Sequence, residues 1–385
     1  MYDKKVNVLF IITKLELGGA QKVCLSLLDG VKKNGGFAGL ISGADGPLVS
    51  EVKNLDSVYL LPEFKREVGL KNIFKDIYLF FKLIKLIKKN RKNYTDLIVH
   101  THSTKAGILG RWAAFFAGIK NIVHTVHGFG FHENQNKIYW ISIYLAEFFT
   151  AFITTKFVCV SNYDLKFGSK YLPFFKKKAL IIRAAVDYDK FYIPAKCVKN
   201  IESDNFVIGT VSCFKPQKNL IDLLRAFKRL LKDLSEKKDK IFLEIVGDGV
   251  LRPELENFIN QNDLKNNVKL LGWQSNVASI VKTWDLFVMS SLWEGLPCAI
   301  IEARLSKLPV ISYNISGIPE VIFDNKNGFL VESQNWQLLS EKIKFYINNN
   351  SEYLSAANYK DNLSGFHKNY MIEKHIDLYR DFSQL

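Results

Sequence analysis

Cysteine is scarce in this sequence, and none of it is paired. Cys24, Cys159, Cys197, Cys213 and Cys298 are odd in number and widely scattered, with no Cys-x-x-Cys step. That spacing argues against a disulfide framework and a structural zinc site, and for a reducing compartment. No secretory signal is visible, because the polar start, Met1 to Lys5, runs straight into a short apolar segment. Long uninterrupted apolar runs are also missing. The most hydrophobic stretch, Ile138 to Val160, contains Glu147 and Lys156, and it reads as a helix followed by a buried strand rather than a membrane span. There is no short tandem repeat, no low-complexity tract, and no nucleic-acid recognition motif.

What is present is apolar material in quantity and an excess of positive charge. Of 385 residues, 48% are hydrophobic, enough for a large core in each of two domains. The formal net charge of +15 favours phosphate-rich partners such as anionic headgroups, nucleic acid or a diphosphate substrate. Apolar runs bounded by polar residues predict buried strands at Val6 to Ile12, Asp96 to His100, Asn121 to Val126, Phe157 to Ser161 and Ala179 to Arg183. Helical patterns lie between them at Ala20 to Lys33, Asn72 to Lys89 and Thr104 to Phe116. The alternation lapses over Val186 to Asn205, a polar stretch holding Pro194 that reads as an interdomain linker.

It then restarts, with strands at Phe206 to Val211, Ile241 to Val246, Val268 to Leu271, Leu286 to Ser290 and Pro309 to Ser312. The accompanying helices are Leu220 to Leu234, Arg252 to Asn260 and Cys298 to Ser306, and a last helical pattern runs from His367 to Phe382. Strands alternating with helices imply parallel sheets covered on both faces. The expected fold class is therefore α/β, with two doubly wound, Rossmann-like domains over 1–190 and 200–366 facing a central cleft, and a terminal segment 367–385. In such sheets ligands bind beyond the carboxyl ends of the strands.

The candidate motifs fall just after strands. Gly18 and Gly19 follow the first strand at a helix start, where glycine permits close approach of an anion to free backbone N–H groups; a tight turn is the plain alternative, and the third glycine of a dinucleotide fingerprint is missing. Five of the seven histidines crowd into one region: His100, His102, His124, His127 and His132. Packing and structural hydrogen bonds account for most of them. His127, at a strand end before Gly128, is placed to touch substrate, and neither His-Glu-x-x-His nor a cysteine pair supports a metal. In Phe206 to Asn219 a strand runs into a loop with Lys215 and Lys218 and then a helix. A cation at a helix start opposes the helix dipole and suits a bound diphosphate.

The sharpest pattern is Trp293 to Ala303. Glu294 sits in a loop with Gly295, Leu296 and Pro297, and Glu302 lies among Ile300, Ile301 and Ala303. A carboxylate among apolar helix residues is costly unless it is paired or functional, and a carboxylate can accept hydrogen bonds from both hydroxyls of a ribose. Lys71 to Lys92 forms an amphipathic stretch with an apolar face and a basic face, suited either to core packing or to contact with anionic lipid.

These motifs resemble the family 4 retaining glycosyltransferases of the GT-B fold, over almost the whole chain. The likeness rests on Glu294 and Glu302 with Glu-Gly-Leu-Pro between them, Val246-Gly247-Asp248-Gly249, and Phe214 to Asn219. Gly18 to Lys22 and two first-half segments, around His102 to Trp112 and His124 to His132, agree and look like bacterial surface-polysaccharide transferases. The resemblance implies that a nucleotide sugar, UDP-linked by family frequency, binds the second domain through Lys215, Lys218, Gly247, Asp248, Gly249, Glu294, Gly295, Leu296, Pro297 and Glu302. The same likeness places the Gly18 and Gly19 backbone toward the diphosphate and His127 near the transferring sugar, with Lys218 and Glu294 also in catalytic roles.

The acceptor implied is a polyprenyl-diphosphate-linked saccharide bound by the first domain, with His102, Lys105 and Phe129 as candidate contacts. No metal and no cofactor beyond the co-substrate is expected, and the terminal helix is expected to return to the first domain. The implied setting is the cytoplasmic, anionic inner face of the plasma membrane, with peripheral attachment and no nucleic-acid partner. Two positions depart from the family: Cys213 stands where an arginine is usual, leaving Lys215 to compensate, and Ala184-Ala185 replaces Asn-Gly. The alternatives by class are a nucleotide-sugar epimerase of related fold, which needs no acceptor, and a non-enzymatic basic protein binding membrane or nucleic acid.

Overall fold

The structure is a computed structural model, and it describes residues 5–65, 73–132, 135–194 and 205–382. The chain forms two compact units, one of 1–185 with 368–385 and the other of 186–367. In chain order the first unit contains β1 (Asn7–Ile12), α1 (Gly19–Lys33), β2 (Phe37–Gly43), α2 (Val49–Val52), β3 (Val58–Leu61), α3 (Ile73–Asn93), β4 (Ile98–His102) and α4 (Thr104–Phe116). It continues with β5 (Asn121–Val126), α5 (Lys137–Ile153), β6 (Lys156–Cys159), α6 (Asn162–Tyr171), α7 (Phe175–Lys178) and β7 (Ala179–Ile181). The second unit runs α8 (Tyr188–Phe191), β8 (Phe206–Val211), α9 (Leu220–Asp233), β9 (Ile241–Val246), α10 (Arg252–Gln261), β10 (Val268–Gly272), α11 (Val277–Val281) and β11 (Leu286–Met289). After α12 (Cys298–Leu305), β12 (Val310–Tyr313), β13 (Gly328–Val331), α13 (Trp336–Asn348) and α14 (Asn350–Asn358), α15 (Lys368–Asp381) completes the first unit.

Both sheets are wholly parallel, as the strand–helix alternation requires. The first has seven strands in the order β3-β2-β1-β4-β5-β6-β7, the second six in the order β10-β9-β8-β11-β12-β13. In each sheet the strand order reverses once, between β1 and β4 and between β8 and β11. These reversals part the loops that leave the two central strands, which is where open sheets of this kind hold ligands. The strands are covered on both faces: Val8 to Ile12 of β1 are fully buried. Leu9, Ile11 and Val99 point to a core shared with Leu79, Leu83 and Ile87 of α3 and Ala106 and Ala113 of α4. In the second unit Ile208, Leu243 and Val288 face Leu223, Leu224 and Phe227 of α9. The strong segregation of leucines along α9 is what a helix laid on a sheet needs.

Several elements escape a periodicity reading. β3 and β13 are four-residue edge strands, too short to display a period, and β2 carries glycine at both Gly39 and Gly43. The expected linker 186–205 is partly structured. The Val186 N–H donates to the Phe366 carbonyl at 3.1 Å, α8 follows, and the Ile193 N–H reaches the Leu305 carbonyl at 3.0 Å. Residues 195–204 of that stretch lie outside the described residues.

Two buried polar constellations organise the first unit. Arg111 of α4 is fully buried and donates to Glu147 of α5 at 2.6 Å, to Thr154 Oγ1 at 3.1 Å and to the Gly107 carbonyl at 2.8 Å. The carboxylate that interrupts the apolar stretch of α5 is thus the pin that fixes α5 to α4. The second constellation joins the sheet to the end of the chain. His100 Nδ1 lies 2.6 Å from Tyr379 Oη of α15, and its Nε2 lies 2.7 Å from Thr125 Oγ1. His375 of α15 stacks on His100 at 5.8 Å between ring centroids. On the opposite face His124 Nδ1 meets Thr101 Oγ1 at 2.9 Å, and its ring occupies the space a side chain at Gly107 would need, 2.6 Å from the place of a Cβ. Burial holds the imidazolium pKa of His100 and His124 well below the ordinary histidine value and that of His375 down to about 4.

Two expectations follow. Replacing Glu147 with Leu strands the buried Arg111 guanidinium and costs about 3–5 kcal/mol of stability, measured by denaturant unfolding of the wild type and variant. The histidines set a pH dependence of definite sign. In the unfolded chain they take up protons below about pH 6.5, whereas the folded state refuses them until far lower pH, so stability falls as pH drops from 6.5 toward 5. Thermal melts across that window are expected to show a falling Tm, and His100→Asn is expected to flatten part of the slope.

Candidate active site

In the first unit the loop after β1 leads to Gly18 at the N-cap of α1 in extended conformation, with Gly19 opening the helix. Across the strand-order reversal, Ser103 follows β4. Thr13 Oγ1 lies 2.7 Å from Ser103 Oγ and accepts the Ala106 N–H at 3.2 Å, tying the two loops together. His127 follows β5, half-buried, and its Nε2 lies 3.1 Å from His102 Nδ1 of β4. Adjacent parallel strands make this pairing possible, because β4 and β5 run in register up to His102 and Thr125. Burial pushes the His127 pKa down to about 3, with the His375 ring adding to the effect. His127 is therefore a neutral imidazole at physiological pH, able to donate or accept but not to contribute a full charge.

Other first-unit candidates are held by the protein itself. Lys105 forms an ion pair with Asp76 of α3 at 2.8 Å, its side chain largely buried. Phe129 packs into the aromatic cluster of Phe131, Phe167 and Phe175.

In the second unit four loops converge at the carboxyl ends of the strands. After β8, Phe214 donates its N–H to the Asp248 carbonyl at 2.9 Å, and Leu251 donates to the Phe214 carbonyl at 3.1 Å. The chain then passes Lys215 and enters a single 3-10 turn, Pro216–Lys218, which leads into α9 through Asn219. Ser290, just after β11, donates to the Lys218 and Asn219 carbonyls at 3.0 Å. Leu292 and Trp293 are bound to Gln217 through the backbone and side-chain amide, at 2.8 Å and 2.7 Å. The outcome is that Lys218 Nζ lies 2.5 Å from Glu294 Oε1, with the two side chains only 18% and 9% exposed. The loop after β12 adds the Ser316 hydroxyl, which accepts the Glu294 N–H at 3.2 Å, and the Gly317 N–H, which donates to the Gly295 carbonyl at 3.1 Å.

Leu296 is buried beyond this turn, Pro297 is the N-cap of α12, and Glu302 is buried midway along that helix. Gly247 adopts φ of 126° with the Ser212 carbonyl 2.0 Å from where a Cβ would stand, so no other residue fits there. Asp248 is held by Arg252 at 2.9 Å, which keeps its carboxyl below the ordinary range, and accepts the Gly249 N–H at 2.7 Å.

The structure thus brings Lys218, Glu294 and Gly295 together, with Gly247, Asp248 and Gly249 tied to the same loop through Phe214. It also pairs His102 with His127. Gln217 was readable inside the Phe214 to Asn219 motif. Ser316 had no sequence signal, nor had the Thr13–Ser103 link, since contacts between separate loops leave no local pattern. His375 and Tyr379 stand four residues apart on α15, a helical spacing that puts them on one face but names no partner. Among the described residues, no group of three His, Cys, Asp or Glu side chains is arranged to hold a metal ion.

Comparison with known proteins agrees with this architecture. Residues 17–190 match the family described as Glycosyltransferase Family 4, and residues 195–363 match Glycosyl transferases group 1. The chain is 34% identical over 336 residues to the UDP-Gal:alpha-D-GlcNAc-diphosphoundecaprenol alpha-1,3-galactosyltransferase of Escherichia coli, covering 85% of this chain and 84% of that one. It is 26% identical over 325 residues to the capsular polysaccharide biosynthesis glycosyltransferase CapM of Staphylococcus aureus, covering 81% and 80%. Among solved structures, Anabaena Alr3699/HepE in complex with UDP and glucose shares the fold with a TM-score of 0.79 at 18% identity, over 99% of this chain and 100% of that one. With both halves matched and one relative alike over most of its length, the chain belongs to the family 4 glycosyltransferases of the GT-B fold.

Proposed function

We propose that this glycosyltransferase moves a sugar from UDP to a polyprenyl-diphosphate-linked saccharide, with retention at the anomeric carbon, at the inner face of the plasma membrane during cell-surface polysaccharide synthesis. The lipid-linked acceptor is taken from the E. coli relative, whose name states a diphosphoundecaprenol-linked acceptor and a UDP-linked galactose donor. The observation that carries the catalytic reading is the Lys218–Glu294 pair at the edge of the second sheet. Without substrate the two groups neutralise each other. With donor bound, Lys218 turns to the diphosphate and Glu294 to the sugar hydroxyls, so the partners separate onto complementary parts of one ligand.

The chemistry follows from that placement. The bond from the anomeric carbon to the diphosphate oxygen breaks, and negative charge grows on the leaving oxygen. Lys218, assisted by Lys215, stabilises that charge, and the N–H groups at the start of α1, where Gly19 lies, are suited to an anionic ligand. The acceptor hydroxyl attacks from the same face, forming the new glycosidic bond, and passes its proton to the leaving phosphate oxygen. His127, neutral and hydrogen-bonded to His102, contacts the transferring sugar without adding charge. Glu302 receives the ribose hydroxyls, and Gly247 to Gly249 and Gly295 to Pro297 supply close-lying backbone around the donor. Lys105 and Phe129 serve the acceptor, and His102, itself fully buried, acts by orienting His127. No metal or cofactor enters this scheme.

Lys218→Ala is expected to lower kcat/KM by about 2–4 kcal/mol, roughly 30- to 1000-fold, measured by UDP release in the presence of a lipid-diphosphate saccharide. An unchanged kcat/KM rejects the role of Lys218. NMR of the product is expected to show retention, and an inverted product rejects same-face attack. UDP-sugar conversion that needs no acceptor assigns the chain to epimerisation or hydrolysis instead. Activity is expected to persist in chelator, and its loss there with recovery on adding a divalent cation overturns the metal-free scheme.

A further inference from the structure

The outer face of α5 is apolar along its whole length. Ile138, Ile141, Leu145, Phe149 and Phe152 are all exposed, Ile138 by 80% and Phe149 by 57%. Their spacing of three or four residues makes one stripe, about 21 Å long at 1.5 Å per residue. A soluble surface rarely carries so many large apolar side chains in a line. The opposite face is committed to the protein: Glu147 is held by Arg111, and the Trp112 indole N–H of α4 donates to Thr150 Oγ1 at 2.9 Å. The stripe is therefore rigidly presented.

The stripe continues beyond the helix. Phe174, 58% exposed and in the left-handed region at φ of 57°, sets its ring 5.8 Å from that of Phe152. A bulky residue in that conformation is strained. Lys178 fixes the arrangement by donating to the Ala151 and Phe152 carbonyls at 2.9 Å and 3.1 Å.

Charge selects the occupant of this face. Between residues 137 and 178 the only carboxylates are Glu147 and Asp164, and both are buried. Every exposed charged side chain in that span is a lysine: Lys137, Lys166, Lys170, Lys176 and Lys177. A second copy of the chain would bring lysines against lysines, whereas an anionic bilayer answers both the apolar stripe and the positive rim. Among the described residues, no helix is long and apolar enough to cross a membrane. We infer that the outer face of α5, extended by Phe174 and the lysines after it, lies in the interface of an anionic phospholipid bilayer and docks the first unit there. This rests on the lipid-linked acceptor proposed above and gives it a structural element: an acceptor confined to the bilayer is met by a unit already seated on it.

The test uses the full chain and vesicles that contain no lipid-linked saccharide, so that docking is read apart from catalysis. The wild type is expected to float with vesicles of phosphatidylcholine plus phosphatidylglycerol, and far less with phosphatidylcholine alone. Combining Ile141→Asn, Leu145→Asn and Phe149→Asn is expected to reduce binding about tenfold or more. Combining Lys176→Glu and Lys177→Glu is expected to reduce binding to the anionic vesicles by about tenfold. The lysine variant carries the test if the apolar variant does not fold by circular dichroism. Transfer to a water-soluble acceptor analogue is expected to survive in both. A wild type that does not float, or folded variants that float as well as it does, overturns the proposal. So does a dimer in sedimentation equilibrium that the α5 variant dissolves while no form binds vesicles, which makes this face a contact between copies. Loss of transfer to every acceptor with docking intact overturns the transferase chemistry and leaves the docking surface standing.

Discussion

Parallel strands paired in register all finish at one edge of a sheet, and the loops that leave them must share that edge. The placement of the functional candidates depends on this constraint. β8, β9, β11 and β12 each release a loop there, and hydrogen bonds through the Phe214, Gln217 and Gly295 backbone, the Gln217 amide and the Ser290 hydroxyl lock the loops to one another. Lys218 and Glu294, 76 positions apart in sequence, are thereby brought within a single ion pair. The same geometry at β4 and β5 sets His102 beside His127. Gly247 belongs to this logic, because the loop after β9 can approach Ser212 so closely only without a side chain.

The positive charge of the chain is distributed in two different ways. Where chemistry is proposed, the cations are matched: Lys218 with Glu294, Arg252 with Asp248, Lys105 with Asp76. Such pairing keeps long side chains in defined positions and avoids leaving a desolvated charge alone. Between α5 and β7 the rule is reversed. Carboxylates are buried, most of the lysines are exposed, and the field faces outward. A net charge read from composition cannot separate these two populations, because only burial tells which charges cancel.

Much of the fold is legible in the sequence because buried parallel strands are continuous apolar runs. Asn121–Val126, Phe206–Val211 and Ile241–Val246 have the bounds their composition suggests, and Thr104–Phe116 does so for a helix. The edge strands β3 and β13 were not legible, because four residues are too few to display a period. The β4 strand extends to His102, two residues past the apolar run, because the Thr101 hydroxyl is bonded to the Val123 carbonyl and His124, and His102 Nδ1 meets His127. For the candidate site, the motifs located Lys218 and Glu294, while the hydrogen bonds that orient them come from Ser316 and Gln217 on separate loops. The role of Glu147 shows the same limit. Its presence in an apolar helix signals a partner, but Arg111 becomes that partner only once α4 and α5 are side by side.

The first unit is closed by the last helix of the chain. His375 and Tyr379 of α15 sit against His100 in the central sheet, and Ile372 fills the space that a side chain at Gly30 of α1 would take. The intervening 186–367 form the other unit from one continuous segment. During synthesis, then, the second unit has its complete sequence before the first does, although the first begins to emerge earlier. Until α15 leaves the ribosome, the β4 histidines and one flank of α1 lack their covering helix. A chain cut short just before Lys368 retains every strand of both sheets and still lacks the helix that closes this core.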